Sequence, residues 1–231
     1  MNILCVICAR GGSQGLKNKN ILNIKGKPLI HYTLDIAKKS KLYSKIVVSS
    51  DSNKILKKSK KYKPDLLLKR PKFLATPFVS KIKVIRHALK QSENEFGLNF
   101  DYIVDLDVTS PFRTLKDLKL SLKKIIDEKS EVLISAIIAK KNPYFNMVEY
   151  KKNNKLDLVK KSKKQIFSRQ MAPMVYDMNA SIYIWKRDCL LKSEIFGKKT
   201  SIYIMPPERS IDIDSKLDFK IVKFLMKKNQ R

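Results

Sequence analysis

Residues 3–9, Ile-Leu-Cys-Val-Ile-Cys-Ala, form an unbroken apolar run that stops abruptly at Arg10-Gly11-Gly12-Ser13. The run is far too short to cross a bilayer. It fits a strand covered on both faces, and the polar glycine turn after it fits the carboxyl rim of a parallel sheet. Parallel strands need crossovers, usually helical, so a chain that opens this way must next supply an amphipathic helix and a second strand.

Both follow. From Pro28, which is tolerated in a first turn because no N–H bond is lost there, Leu29, Ile30, Leu34, Ile36 and Ala37 recur at helical spacing. Residues 45–50 (KIVVSS) predict a second buried strand, with Asp51 or Ser52 placed to cap the next helix. The pattern predicts a loop over 71–79, a helix over 80–91, a strand over 102–108 and a helix over 114–128, where Thr114 and Asp117 resemble a capping box. A fourth strand is expected over 131–139. The periodicity then dissolves into lysine- and asparagine-rich sequence, which marks an excursion from the core spanning 140–178. Strands are expected again over 180–185 and 201–205, and a terminal helix over 215–228 with Ser215 and Asp218 in capping-box positions. The expectation is an α/β chain with a single domain over 1–231 and a mostly parallel sheet, its ligands collecting at the carboxyl ends of the strands.

Composition enters through charge. Fifty Lys and Arg against 21 Asp and Glu leave a net +29, a balance that raises the question of nucleic acid. The lysines are strewn over the whole chain, and no element concentrates arginine with stacking aromatics, so no nucleic-acid partner is expected. No membrane partner is expected either, and with no leader pattern at the start the chain is expected in the cytoplasm. Cys5 and Cys8 form a C-x-x-C, but inside an apolar strand rather than on a turn before a helix, which argues against a redox pair. His31 and His87 sit on predicted helices as surface or half-buried residues and are not expected to be catalysts; Tyr183, Trp185 and Phe219 fit core packing.

The chemistry concentrates in three places. Arg10-Gly11-Gly12-Ser13-Gln14-Gly15-Leu16-Lys17-Asn18-Lys19-Asn20 joins glycines, whose backbone can approach a ligand closely, to three cations, and a polyphosphate suits it, although the spacing matches neither common phosphate-loop pattern. In Ile211-Asp212-Ile213-Asp214 the two acids share a face of an extended segment, compatible either with a metal pair or with two solvated acids on a strand edge. Asp105-Leu106-Asp107-Val108-Thr109-Ser110-Pro111 closes the third strand.

The run from Ala9 to Asn20 resembles the signature loop of the acylneuraminate cytidylyltransferases, the CMP-sialic acid synthetases. The similarity continues in Arg70-Pro71 with Leu74-Ala75-Thr76, in Thr109-Ser110-Pro111-Phe112-Arg113-Thr114, in Arg169-Gln170, in Asn179-Ala180-Ser181-Ile182-Tyr183-Ile184 and in Ile211-Asp212-Ile213-Asp214. It spans nearly the whole chain. The resemblance implies a three-layer Rossmann-like fold of the nucleotide-diphospho-sugar transferase type and transfer of CMP from CTP to the anomeric hydroxyl of a sialic-acid-like nonulosonic acid, with release of pyrophosphate. Arg10, Gly11, Gly12, Ser13, Lys19, Asn20, Arg70 and Ser80 are then expected around CTP, and Asp212 and Asp214 around Mg²⁺. Arg10, Lys19 and Asp214 are expected to carry catalysis. Asp107, Thr109, Ser110, Arg169, Gln170 and Asn179 are expected around the sugar. The resemblance also implies a homodimer in which the excursion closes the partner's sugar site.

Two departures stand out. Asp107-Val108 replaces the Gln-Pro that many family members carry before Thr-Ser-Pro, and Thr76-Pro77-Phe78-Val79 lacks the usual polar residues. The acid at Asp107 suits a metal, a sugar hydroxyl or an amino-derived group. Together with the run from Asp177 to Trp185 it points to a legionaminate-type sugar, with pseudaminic acid and the eight-carbon Kdo as alternatives. A basic RNA-binding module is the rival from another class.

Overall fold

A computed structural model describes residues 1–12, 15–152, 154–192 and 195–228. In chain order the elements are β1 (Ile3–Cys8), β2 (Asn23–Ile24), β3 (Lys27–Pro28), α1 (Leu29–Ser40), β4 (Lys45–Ser50), α2 (Asn53–Ser59), β5 (Leu66–Lys69), α3 (Lys81–Phe96), β6 (Tyr102–Leu106), α4 (Leu115–Asp127), β7 (Val132–Ile138), β8 (Val148–Tyr150), β9 (Leu156–Leu158), β10 (Tyr176–Lys186), α5 (Arg187–Lys192), β11 (Thr200–Ile204) and α6 (Lys216–Lys228).

Seven strands form one sheet in the order β11-β7-β10-β6-β1-β4-β5. Every neighbouring pair is parallel except those of β10, which runs antiparallel between β6 and β7. The predicted mostly parallel sheet is therefore present, with one reversed strand that apolar patterning could not reveal. From β1 the chain first builds outward to β4 and β5 and then turns back to β6 on the other side. That reversal opens a crevice at the carboxyl ends of β1 and β6, where ligands of open α/β sheets bind.

Alternation along β1 assigns the two faces. Ile3, Cys5 and Ile7 are buried with Leu29, Ile30 and Leu34 of α1 and Leu118 of α4, whereas Leu4 and Val6 are buried with Ile82, Ile85 and Leu89 of α3. A strand buried on both faces must read as continuous apolar sequence, which is why its position was legible. Thr114 and Asp117 form a full capping box at the start of α4. Gly97, at φ 62°, closes α3 in the left-handed conformation, so the helix runs beyond the expected residue 91.

Other expectations change. The third strand ends at Leu106, not at 108. Strand β5 was not foreseen. The residues from Tyr176 to Met178, assigned to the excursion, are already strand, paired with Ile138 to Ala136 of β7 across an irregularity at Ala180, whose φ is 50°. The rest of the excursion holds the small hairpin of β8 and β9 and a 3-10 turn at Arg169–Met171. His31 is buried rather than superficial, its Nε2 2.8 Å from the carbonyl of Lys58. Cys5 is buried in β1 and burial pushes its thiol up; burial likewise raises Cys8 to about 12, which keeps both in the thiol form.

Candidate active site

At the crevice lies a cavity of about 300 Å³ lined by Arg10, Lys19, Asn20, Arg70, Lys81, Asp107, Thr109, Asp212 and Asp214, together with the apolar Leu74, Val79 and Val84 and with Cys8 and Thr76. A wider hollow of about 800 Å³ lies at the opposite, amino ends of the strands, around Asn99, Asp101 and Lys186. The smaller one has the position that an α/β sheet gives its ligands and a convergent set of charges.

Each wall follows from the fold. The loop after β1 supplies Arg10, whose carbonyl accepts a 2.9 Å bond from Asn20 Nδ2 and so ties the two ends of the glycine segment together. Asp51, after β4, accepts the Gly11 N–H at 2.9 Å instead of capping α2. Arg70, after β5, is buried and donates to the Ser49 carbonyl at 2.9 Å. The acid motif hangs from three attachments. Arg209 makes a two-pronged contact with Asp117 at 3.0 Å, the Ile213 N–H donates to the Thr109 carbonyl at 3.1 Å, and Asp218 accepts the N–H groups of Asp214 and Ser215. Gly15 passes so near that a Cβ there would lie 2.6 Å from the Asp214 carbonyl oxygen. Lys19 spans loop and motif with a 2.7 Å ion pair to Asp214.

Asp212 and Asp214 differ in setting. Asp214 is 75% exposed, while Asp212 has a buried Oδ1 with no hydrogen-bond partner. Burial raises the Asp212 carboxyl, and the charges of Asp107 and Asp214 add to the rise.

The opposite wall carries a feature that was not anticipated. Lys81, the first residue of α3, lies 2.6 Å from Asp105 Oδ2 and 2.7 Å from Asp107 Oδ2. Asp105 is fully buried; its contact with Lys81 is one of charge rather than an aligned hydrogen bond, and Oδ1 has no partner at all. Burial raises its carboxyl, with Lys81 pulling the other way. Asp107 is also penalised by burial, but Lys81 and the two Thr109 donors, N–H at 3.0 Å and hydroxyl at 2.8 Å, outweigh this and hold it well below the usual carboxylate range. A cation in the first turn of a helix opposes the macrodipole, but Lys54, Lys116 and Lys216 also stand in the first turns of other helices, so nothing in the sequence singled out Lys81.

Arg10, Lys19, Asn20, Arg70, Asp107, Thr109, Asp212 and Asp214 are thus brought together. Gly11, Gly12, Ser80 and Ser110 do not line this cavity; Ser80 instead caps α3, its hydroxyl accepting the Ile82 N–H. Ser13 lies outside the described residues. Arg169 and Gln170 line a separate pocket beside Ile138 and Pro173, where Arg169 donates to the Ala139 carbonyl at 2.6 Å. Asn179 is buried with its amide engaged by Ser135, Ser181, Ser210 and Met205.

Residues 4–229 match the family model described as cytidylyltransferase. The chain belongs to that family. This cytidylyltransferase is therefore a nucleotidyltransferase enzyme, as the loop and motif resemblance implied. It is 45% identical to post-translational flagellin modification protein B of Campylobacter coli over 97% of the chain and 95% of that protein. It is also 45% identical to CMP-N,N'-diacetyllegionaminic acid synthase of Campylobacter jejuni subsp. jejuni, over 97% and 94%. The solved structure of a CMP:2-keto-3-deoxy-manno-octonic acid synthetase complexed with CTP superposes with a TM-score of 0.71 over 99% of this chain and all of that one, at 16% identity, which establishes the shared Rossmann-like fold. No helix among the described residues is long and apolar enough to cross a membrane.

Proposed function

We propose that this cytidylyltransferase moves CMP from CTP to the anomeric hydroxyl of a nonulosonic acid of the legionaminic type. The observation that carries this reading is the meeting of Arg10 and Lys19 with Asp212 and Asp214 in one cavity, which provides for both the phosphates and their counter-ion. The anomeric oxygen bonds to the α-phosphorus as the bond to the β-phosphate oxygen breaks; pyrophosphate leaves with its charge held by Arg10 and Lys19, and the hydroxyl proton passes to water. Asn20 and Arg70, with the loop near Ser80, flank the nucleoside, while Ser13 and the glycines complete the cradle for the phosphates. Asp107 and Thr109 face the sugar.

Asp212 and Asp214 fit Mg²⁺. Asp212 has an acceptor oxygen with no hydrogen-bond partner and Asp214 is open, and Mg²⁺ is commonly held by one or two carboxylates plus substrate phosphates. Among the described residues no group of three or more His, Cys, Asp or Glu could hold a metal, so phosphate and water would complete the set. When bound, the ion would offset phosphate charge and acidify the attacking hydroxyl. Asp214 orients that hydroxyl.

A homodimer belongs to the same reading. The 140–178 excursion exposes Tyr150, Phe167, Met171 and Met174, apolar side chains that a partner subunit would cover. Arg169 and Gln170 would then act from this region toward a sugar site shared with the partner. The reaction takes place in the cytoplasm, where CTP is available.

The test supplies CTP and Mg²⁺ with N,N'-diacetyllegionaminic, N-acetylneuraminic and pseudaminic acids and Kdo in parallel, and follows pyrophosphate. The legionaminic acid is expected to react fastest. Pyrophosphate release from none of them would remove the reading.

A further inference from the structure

Lys81 has no part in that scheme, yet it is the cation of the cavity that two carboxylates hold. Its ammonium lies between Asp105 and Asp107, paired by charge with the first and hydrogen-bonded to the second, and its side chain is 36% exposed. Asp107 is 20% exposed at the cavity. A carboxylate offers about four lone-pair sites. Three of those on Asp107 are taken, by Lys81 Nζ, the Thr109 N–H and the Thr109 hydroxyl. Its backbone is fixed as well, with the carbonyl accepting from Thr33 Oγ1 at 3.2 Å and from Arg113. One acceptor site is left, on a carboxylate that cannot swing away. Thr109 in turn holds the Ile213 N–H, so this acceptor is in register with the acid motif across the cavity.

We propose that Lys81 is a positioning residue that sets sugar specificity: clamped by Asp105, it locks Asp107 so that its remaining lone pair selects a neutral O–H or N–H donor on the sugar acid and turns away an anionic group. The proposal rests on the cytidylyltransferase reading above. A lone lysine in such a cavity would otherwise be taken for a phosphate or carboxylate ligand. Against that, Asp105 and Asp107 already neutralise it. A freely rotating Asp107 could accept from many groups, whereas a locked one admits a donor in one direction only, which is how a buried polar site rejects substrates that lack the matching group.

Steady-state pyrophosphate release with sugar and CTP varied separately tests this. Lys81→Met is expected to raise the KM for N,N'-diacetyllegionaminic acid by about tenfold or more, the scale of one charge-assisted hydrogen bond, with the CTP KM within about twofold. In the Lys81→Met/Asp107→Asn double variant the sugar KM should be no worse than in Asp107→Asn alone, because both changes disable one device. Lys81→Arg keeps the buried charge, serving as the folding-competent variant, and should also shift only the sugar KM. A CTP KM that rises as much as the sugar KM would make Lys81 a nucleotide ligand and overturn the proposal, as would effects that multiply in the double variant. An unchanged sugar KM in active variants removes only the role of Lys81. A wild-type chain that releases no pyrophosphate removes the parent reading and this role together.

Discussion

Asp105-Leu106-Asp107 and Asp212-Ile213-Asp214 share one pattern, two acids two residues apart with an aliphatic between them, and Asp107, Asp212 and Asp214 all line the same cavity. The fold treats the pairs differently. The first closes a central strand and has a lysine between its carboxylates, and Asp107 keeps a single acceptor site free. The second lies on an extended segment after β11, with Asp212 lacking a partner for one oxygen and Asp214 open to solvent apart from Lys19. Spacing alone puts two acids on one face; whether they form a metal site depends on which cations the rest of the chain brings within reach. A pair that already holds a lysine between its carboxylates, one of them sealed from solvent, has no room for a further cation, and a pair open to solvent is suited to one.

The largest effect separating the pairs is expected at Asp214. Asp214→Asn should lower turnover at least about a hundredfold, close to 2.7 kcal/mol of transition-state stabilisation, with the melting temperature almost unchanged because the side chain is 75% exposed. Near-normal pyrophosphate release would take Asp214 out of the site.

Next comes the tether of the open pair. Asp117 is buried and receives Arg209, Thr114 and Tyr203. Burial opposes its charge, yet Arg209 and the other donors prevail and hold the carboxyl below its ordinary range. A depressed carboxyl contributes stability that is complete above the unfolded value of roughly 4 and is lost as pH falls through the lower folded value. Asp117→Asn should therefore cost about 2 kcal/mol in urea unfolding at pH 7, and the gap to wild type should shrink from about pH 4 downward. A gap that stays constant between pH 7 and pH 3 would mean that charge is not what holds the motif.

How much of this was legible follows from where each signal resides. Strands β1, β4, β6 and β7 are contiguous apolar runs because both faces are covered, and their order along the chain announced the α/β class. Strand β5 is four residues beside lysines, and its place depends on pairing with β4, which no local pattern encodes. Arg10, Lys19, Asn20, Asp212 and Asp214 were found because motif and chemistry coincide in short segments. Lys81 was missed because its meaning depends on two acids 24 and 26 residues away. The register of β6 against β1, and the docking of α3 on that face, bring them together. Asn179 shows the reverse: its motif was visible, but nothing local showed that its amide would also be consumed by Ser135 and Ser210 on two other segments.

The smallest of these effects is expected where the glycine loop meets the open pair. Gly15 was read as a residue that lets backbone approach a ligand, but its nearest neighbour is the carbonyl oxygen of Asp214, 2.6 Å from where a Cβ would stand. Real Cβ atoms do not come that close, and a backbone oxygen cannot rotate aside as a side chain could. In Gly15→Ala either the loop or the acid motif must therefore shift. Since Ile213 is fixed by Thr109 and the motif is anchored through Arg209, the loop is the element that yields, and it carries Lys19 with it. Turnover should fall about tenfold through the displaced cation, with urea stability within about 0.5 kcal/mol of wild type because Gly15 is exposed. A variant with full activity would show that loop and motif need no fixed register, and that the open pair works without the cationic rim held against it.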